Sequence, residues 1–158
     1  MTLRILKAFS PVLALLTVGS FAILASAAEE TAENNAETRM VSSPIYGTYS
    51  NFAFYRDDDY GSASITNKTN LNRFAAVGVT GYSQSMSWLG AKSKEKSQLG
   101  YYDQLSASGS YSGNDHSFSA NPWYIDHSGK LYNSTNAMSG VLESYTVRTD
   151  SNGNAWVP

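Results

Sequence analysis

The 158-residue sequence contains no cysteine. This absence excludes disulfide bonds, thiol catalysis and cysteine-ligated zinc sites. A domain built from this chain must therefore be held together by packing alone. Aromatic residues make up 13% of the chain and are the main material for that packing.

The sequence also lacks helical periodicity, because no stretch repeats apolar residues at i, i+3, i+4 and i+7 over three turns. Short strand-like segments instead alternate with clusters of turn residues. We therefore predict an all-β fold, a single antiparallel β-sandwich or small barrel. The predicted strands are 45–55, 61–66, 73–82, 91–97, 99–110, 117–119, 123–127, 130–132 and 141–149, with turns at 57–59, 67–70, 112–115, 127–129 and 150–154.

The segment 72–83, NRFAAVGVTGYS, is the most continuously apolar stretch after residue 40. Strand alternation places Ala75, Val77 and Val79 on one face and residues such as Phe74 and Ala76 on the other. Neither face is polar enough to prefer water. The segment therefore predicts a central strand covered on both faces, which implies two layers.

Only one long hydrophobic run occurs, at 12–24, between two basic residues upstream and an A-S-A sequence at 25–27. This arrangement is typical of a secretory signal peptide. The run is shorter than the roughly 20 residues that span a bilayer. We predict a signal peptide at 1–28 and a secreted, extracellular mature chain, with a retained signal anchor as the alternative.

Residues 29–44 are rich in Glu, Ala, Asn, Thr and Ser, and their only bulky apolar residues are Met40 and Val41. Such a composition buries too little apolar surface to offset the entropy of ordering. We interpret 29–44 as an acidic disordered linker, with a frayed helix or a removable pro-segment as alternatives. The remaining residues, 45–158, have the length of one domain.

Neither sign of charge dominates the predicted domain, which argues against nucleic acid as a partner. One local basic cluster stands out in AKSKEKSQ, where the period of two aligns Lys92, Lys94 and Lys96 along one face of a strand. This lysine row is a candidate binding site for an anionic surface polymer or lipid headgroups. The alternatives are a solvated loop and an edge strand that lysine protects from pairing with other edges.

Catalytic patterns are incomplete. The tripeptide D-H-S occurs at 115–117 and 126–128, but neighbouring strand residues point to opposite faces and cannot assemble a triad. Asp103, Asp126 and Glu143 could supply paired carboxylates for glycoside cleavage, although nothing in their spacing sets the separation. We assign no catalytic residue, and a secreted hydrolase acting on glycans or peptides is an alternative.

The only two histidines lie on either side of Asn121-Pro122. A hairpin turn centred there would pair His116 with His127 across two strands. Directly opposed residues have Cβ atoms about 4.5–5.5 Å apart, which lets two imidazoles share one zinc or copper ion. The pair is a candidate metal site, and the alternative is a cofactor-free protein with a stacked or solvent-facing histidine pair.

Four short motifs occur in an order known from one family. They are Y-S-N-F at 49–52, S-A-S-I at 62–65, Arg73 with A-V-G-V at 76–79, and Y-Y at 101–102. In this order, segment 49–102 resembles the lactococcin-type unmodified secreted bacteriocins, although Gly61 stands where that family has histidine. The resemblance implies a small secreted β-sandwich that acts on growing Gram-positive cells, interfering with septum building through the lipid-linked wall precursor.

These observations predict a bacterial, non-enzymatic protein that works by binding a component of a cell surface or envelope. A bacteriocin-like antagonist is the most specific form of this prediction. An adhesive or structural surface protein is the remaining alternative.

Overall fold

A computed structural model describes residues 41–112 and 114–158. The predicted signal peptide 1–28 and residues 29–40 of the predicted linker lie outside the described residues. The last four residues of that linker, 41–44, belong to the first strand. Among the described residues, no helix has the length and apolar character needed to cross a membrane.

The described residues form two antiparallel sheets packed face to face, which confirms the predicted all-β sandwich. Sheet A has the strand order β1-β2-β3-β6, and sheet B has the order β5-β4-β7-β8-β9. The strands are β1 (Val41–Tyr46), β2 (Ser50–Asp57), β3 (Tyr60–Asn67), β4 (Arg73–Tyr82), β5 (Trp88–Leu99), β6 (Gln104–Ser110), β7 (Tyr124–Tyr132), β8 (Val141–Asp150) and β9 (Ala155–Trp156).

The core lies between the two sheets and follows from strand alternation. In β2 the buried residues Phe52 and Phe54 alternate with partly exposed neighbours, and β3 and β7 repeat the pattern. Across the sheet interface, the ring of Phe52 stacks on the ring of Tyr145 at a centroid distance of 5.2 Å. Each of these large side chains removes apolar surface from water and so supplies the stability that disulfides cannot.

Strand β4 has the predicted bounds and is paired on both edges, with β5 and β7. Its inward residues Ala75, Val77 and Val79 are buried in the core. The outward side chains of Ala76 and Thr80 are only half-buried. The prediction that both faces are covered is therefore wrong, because a two-layer sandwich covers one face of each sheet.

Other strand bounds differ from prediction. The segment 45–55 contains two strands with a turn closed by a hydrogen bond from Gly47 N to Ser50 O (2.9 Å). The segment 99–110 is not one strand, because β5 ends at Leu99 and β6 starts only at Gln104. The turn predicted at 127–129 is absent, since β7 runs through these residues and pairs with a strand on each side.

Residues 117–119 do not form the predicted strand. The segment crosses the sandwich end, where Phe118 N donates to Ser110 O (3.1 Å) and Ser119 N donates to Leu89 O (2.9 Å). Phe118 is buried by this crossing. The close approach requires a glycine in β5, because Gly90 has a φ of +148° and any side chain there would collide with the backbone carbonyl of Ser117.

Candidate ligand-binding surface

The lysine row lies on β5, an edge strand of sheet B. Lys92, Lys94 and Lys96 pair with the core residues Val79, Val77 and Ala75 of β4, so the three lysines share the inward side of the strand. They are nevertheless exposed. Strand β5 packs beside β6, the edge of sheet A, so the lysines lie at an open margin of the sandwich and not in its core.

The three lysines differ in their partners. Lys92 pairs with Asp115 at 3.0 Å and Lys96 pairs with Asp103 at 3.3 Å. The hydrogen bond from Lys92 holds the pKa of Asp115 below its usual value. Lys94 makes no ion pair within residues 41–112 and 114–158. The row therefore presents one unpaired ammonium group between two that are already neutralised.

Lys94 borders a groove of about 250 Å³ on the outer face of sheet A. We call it the lysine–serine groove. Its base is formed by β3 and β6, and the S-A-S sequences of these two strands pair Ser62 with Ser108 and Ser64 with Ser106. The alanine of each sequence is buried in the core, so the serines face outward. The lining residues are Tyr60, Ser62, Ala63, Ser64, Lys94, Gln104, Ser106, Ala107 and Ser108.

The groove offers hydrogen-bonding groups and one positive charge. Each serine hydroxyl can donate and accept, and the Gln104 amide already donates to Ser64 Oγ at 3.1 Å. The volume is below the roughly 300–1,000 Å³ of sites that enclose a small molecule. The groove is therefore suited to one unit of a longer chain that carries both an anionic group and hydroxyl groups.

Sequence reasoning identified Lys94 but missed the serines. Serines are common on exposed strand faces, so each one alone carries no signal. The signal that could have found them is the repeated S-A-S pattern at 62–64 and 106–108, which predicts two strands with an all-serine outer face. Their pairing, however, requires knowing that β6 returns to sheet A beside β3.

The structure does not bring the two histidines together as the predicted hairpin would. His127 is opposite Val79 and Val147, and it is fully buried. Its Nδ1 donates to Ser62 O at 2.9 Å, and its Nε2 lies 3.0 Å from Thr149 Oγ1. His116 is exposed, in a loop and with a φ of 38°, and its Nδ1 lies 2.9 Å from Tyr111 O.

The proposed metal site therefore does not fit these residues. Both ring nitrogens of His127 already have hydrogen-bond partners inside the core, so a metal ion would have to displace them. Within the described residues, no group of three or more His, Cys, Asp or Glu side chains could hold a metal ion.

Two of the three carboxylates considered for glycoside cleavage, Asp126 and Glu143, lie on opposite faces of sheet B. Asp126 faces outward from sheet B and accepts two hydrogen bonds from Arg148. Glu143 lies on the opposite face of that sheet, opposite buried Leu131, where it accepts hydrogen bonds from the 48–50 loop. Asp103 is in the turn before β6. Paired carboxylates must flank one bond, and residues on opposite sheet faces cannot do so.

Comparison with protein-family models and with curated proteins gives no match. Among solved structures, the chain is similar to Bacteroides uniformis beta-glucuronidase 2 covalently bound to cyclophellitol-6-carboxylate aziridine, with 13% identity, a TM-score of 0.39, and coverage of 70% of this chain and 13% of that one. A second structure, of Bacteroides uniformis beta-glucuronidase, has 12% identity, a TM-score of 0.38, and the same coverage of 70% and 13%. Similarity of this extent carries no information about what this chain binds or catalyses.

Proposed function

We propose that the mature chain is a secreted, non-enzymatic protein that binds an anionic, hydroxyl-rich polymer of a cell surface or envelope through the lysine–serine groove. The observation that supports this is the unpaired ammonium of Lys94 beside a floor of outward-facing serines. The ammonium attracts a phosphate or carboxylate group of the polymer. The serines exchange hydrogen bonds with its hydroxyl groups.

The neighbouring ion pairs favour this arrangement over a general basic patch. Asp115 and Asp103 pair with Lys92 and Lys96, so Lys94 is the lysine of the row that a ligand can contact without displacing an aspartate. Both pairs are exposed, with 46% and 45% of the two lysine side chains accessible, and exposed pairs contribute little energy. A polymer with closely spaced anionic groups can therefore displace the aspartates and use all three lysines.

The more specific form of the proposal is a bacteriocin-like antagonist of growing bacteria. It is supported by the resemblance of segment 49–102, which spans β2, β3, β4 and β5 and reaches the 101–102 turn. Growth inhibition of Gram-positive cells by the purified protein tests this form. Binding without inhibition favours an adhesive or structural role, and release of sugars or peptides from envelope polymers favours a hydrolase.

The binding proposal is tested with a Lys94→Gln variant. Affinity for isolated cell-envelope polymer should fall about tenfold, because one charge-assisted contact contributes about 1.5 kcal/mol or more. Binding of the unaltered protein should also weaken between low and high salt. The readout is co-sedimentation of the protein, produced without residues 1–28, with the polymer at several salt concentrations.

The matched control is Lys130→Gln. Lys130 is an exposed lysine on the outer face of sheet B, whereas the groove lies on the outer face of sheet A. This control variant should bind as the unaltered protein does. Replacement of all three lysines of the row by glutamine should remove the salt-dependent binding. Equal affinity of the Lys94→Gln and Lys130→Gln variants would contradict the proposal and leave β5 as a lysine-protected edge strand.

A further inference from the structure

A row of aromatic side chains crosses the outer face of sheet B at one end. Trp88 of β5, Tyr82 of β4 and Tyr124 of β7 are consecutive cross-strand partners. Their chain neighbours Gly81 and Ile125 are buried in the core, so the row faces outward. Neighbouring strands lie about 4.8 Å apart, which gives the row a length of about 10 Å.

The next cross-strand row contacts the two tyrosine rings of this row. Arg148 of β8 donates from Nε and from one terminal nitrogen to the two carboxylate oxygens of Asp126, at 2.6 and 2.7 Å. The guanidinium carbon lies 5.4 Å from the ring centroid of Tyr82 and 5.9 Å from that of Tyr124. Trp156 of β9 meets Tyr124 edge to face at 6.0 Å. The rings of Tyr82 and Tyr124 are therefore held in place before any ligand arrives.

The surface combines aromatic and thioether groups with one ion pair. Asp150, the cross-strand partner of Tyr124 in β8, is only 9% exposed, and its carboxylate accepts hydrogen bonds from the 152–154 turn. The bidentate pair neutralises Arg148 and Asp126, whose side chains are only 18% and 17% exposed. Trp88 and Met86, in contrast, are 66% and 43% exposed. These exposed aromatic and thioether groups do not pack in the core, because the core lies on the opposite face of sheet B. Their exposure is therefore not explained by folding.

We propose that this surface binds an uncharged glycan chain. The surface, hereafter the Arg148 aromatic surface, consists of Tyr82, Met86, Trp88, Tyr124, Arg148 and Trp156. The C–H faces of sugar rings stack on flat aromatic rings, and the row is long enough for more than one sugar unit. Sugar hydroxyls can donate to Asp126 and accept from Arg148 or the tyrosine hydroxyls at its margin.

The absence of net charge is what selects this ligand. An anionic chain would meet no unpaired positive group here, and a cationic one would meet no exposed unpaired carboxylate. A purely apolar partner would have to bury the donors and acceptors of the Arg148–Asp126 pair without replacing their contact with water. A sugar chain satisfies both requirements because each unit presents apolar C–H groups and neutral hydroxyls. This site is independent of the lysine–serine groove, which lies on the other sheet.

The test is affinity electrophoresis of the secreted chain in gels containing uncharged glucan, mannan or galactan. At least one polysaccharide should retard the protein, and the retardation should persist in high salt, because no ion pair with the ligand is involved. A Trp88→Ala variant should lose at least tenfold in affinity. Tyr46→Ala is the matched control, since Tyr46 is a 74% exposed aromatic residue on the other sheet.

The variants also separate this site from the proposed function. Lys94→Gln should bind the neutral polysaccharide normally, and Trp88→Ala should bind the anionic polymer normally. Retardation by none of the three polysaccharides, or equal retardation of Trp88→Ala and the unaltered protein, would overturn the proposal. Dimerisation that Trp88→Ala abolishes, in a protein that no polysaccharide retards, would overturn it in favour of a second copy as the occupant.

Discussion

At the scale of single residues, a buried polar side chain connects the two sheets through hydrogen bonds. The guanidinium of Arg56, in sheet A, is only 1% exposed and donates to four backbone carbonyl oxygens, at 2.8–3.1 Å. Three of these carbonyls belong to residues at the end of β8 and before β7: Pro122, Trp123 and Thr149. Because a buried donor without a partner is destabilising, these contacts fix how the sheets meet at this end.

Sequence patterns could not predict such residues. Arginine is mostly exposed and histidine is intermediate in burial, so residue type alone predicts neither the burial of Arg56 nor that of His127. Strand alternation does place both on the inward face, beside Phe54 and opposite the core valines. What no pattern supplies is the set of carbonyl and hydroxyl partners that come from the other sheet.

The burial of the neutral His127 imidazole should make the stability of the fold depend on pH. Burial, together with a smaller effect of the positive charge of Arg56, lowers the pKa of His127 to about 4. The unfolded chain takes up the proton near pH 6.5, whereas the folded chain does not, so stability is complete above pH 6.5 and decreases as the pH falls towards 4. At pH 5 the loss should be about 2 kcal/mol. Urea denaturation between pH 4.5 and 7.5 measures it.

The two histidines provide a matched control for this measurement. His127→Asn should lower stability at pH 7 and remove most of the loss between pH 6.5 and 5, because the variant side chain does not titrate. His116→Asn, at an exposed loop position whose positive φ favours asparagine, should leave the profile unchanged. If both variants keep the profile of the unaltered protein, the decrease has another source, such as the carboxylates.

At the scale of the element, strands were predictable where the local pattern and the pairing agree. The segments 73–82 and 141–149 match β4 and β8 closely, since apolar or β-branched residues alternate throughout. In β7 the sequence H-S-G has turn composition, but pairing with β4 on one side and β8 on the other keeps it extended. Tertiary pairing therefore overrides turn propensity in a central strand.

The position of β4 makes a direct prediction. Val77 is 2% exposed and lies in the core, so a Val77→Asp substitution would bury a carboxylate without a partner. The loss should exceed about 3 kcal/mol, enough to unfold a domain of ordinary stability. Circular dichroism during thermal denaturation gives the readout.

The control for this variant is another strand valine. Val141, at the start of β8, is 46% exposed, and Val141→Asp should change the melting temperature by only a few degrees. A Val77→Asp protein that melts within a few degrees of the Val141→Asp protein would contradict the assignment of β4 to the core.

At the scale of the whole molecule, the sandwich separates two surfaces of different chemistry. Sheet A exposes hydroxyl groups beside Lys94, and sheet B exposes aromatic rings around a neutral ion pair. The sequence pointed to the first through its lysine row. It did not point to the second, because Tyr82, Tyr124 and Arg148 are distant in sequence and adjacent only through sheet register.

Two sites on opposite outer faces should let one molecule join two polymers. Beads coated with anionic envelope polymer should retain a fluorescent neutral polysaccharide only when the protein is present. Because the two sites lie on opposite sheets, a polymer bound at one does not block the other. Retention should rise with protein concentration and then fall, when each polymer binds separate molecules.

The single variants make this bridging test decisive. Lys94→Gln should fail because it does not attach to the beads, and Trp88→Ala should fail because it does not hold the neutral polysaccharide. A mixture of the two variants should also fail, since bridging requires both intact sites in the same molecule. Restored retention in the mixture would mean that separate copies associate with one another, and retention by either variant alone would mean that one surface binds both polymers.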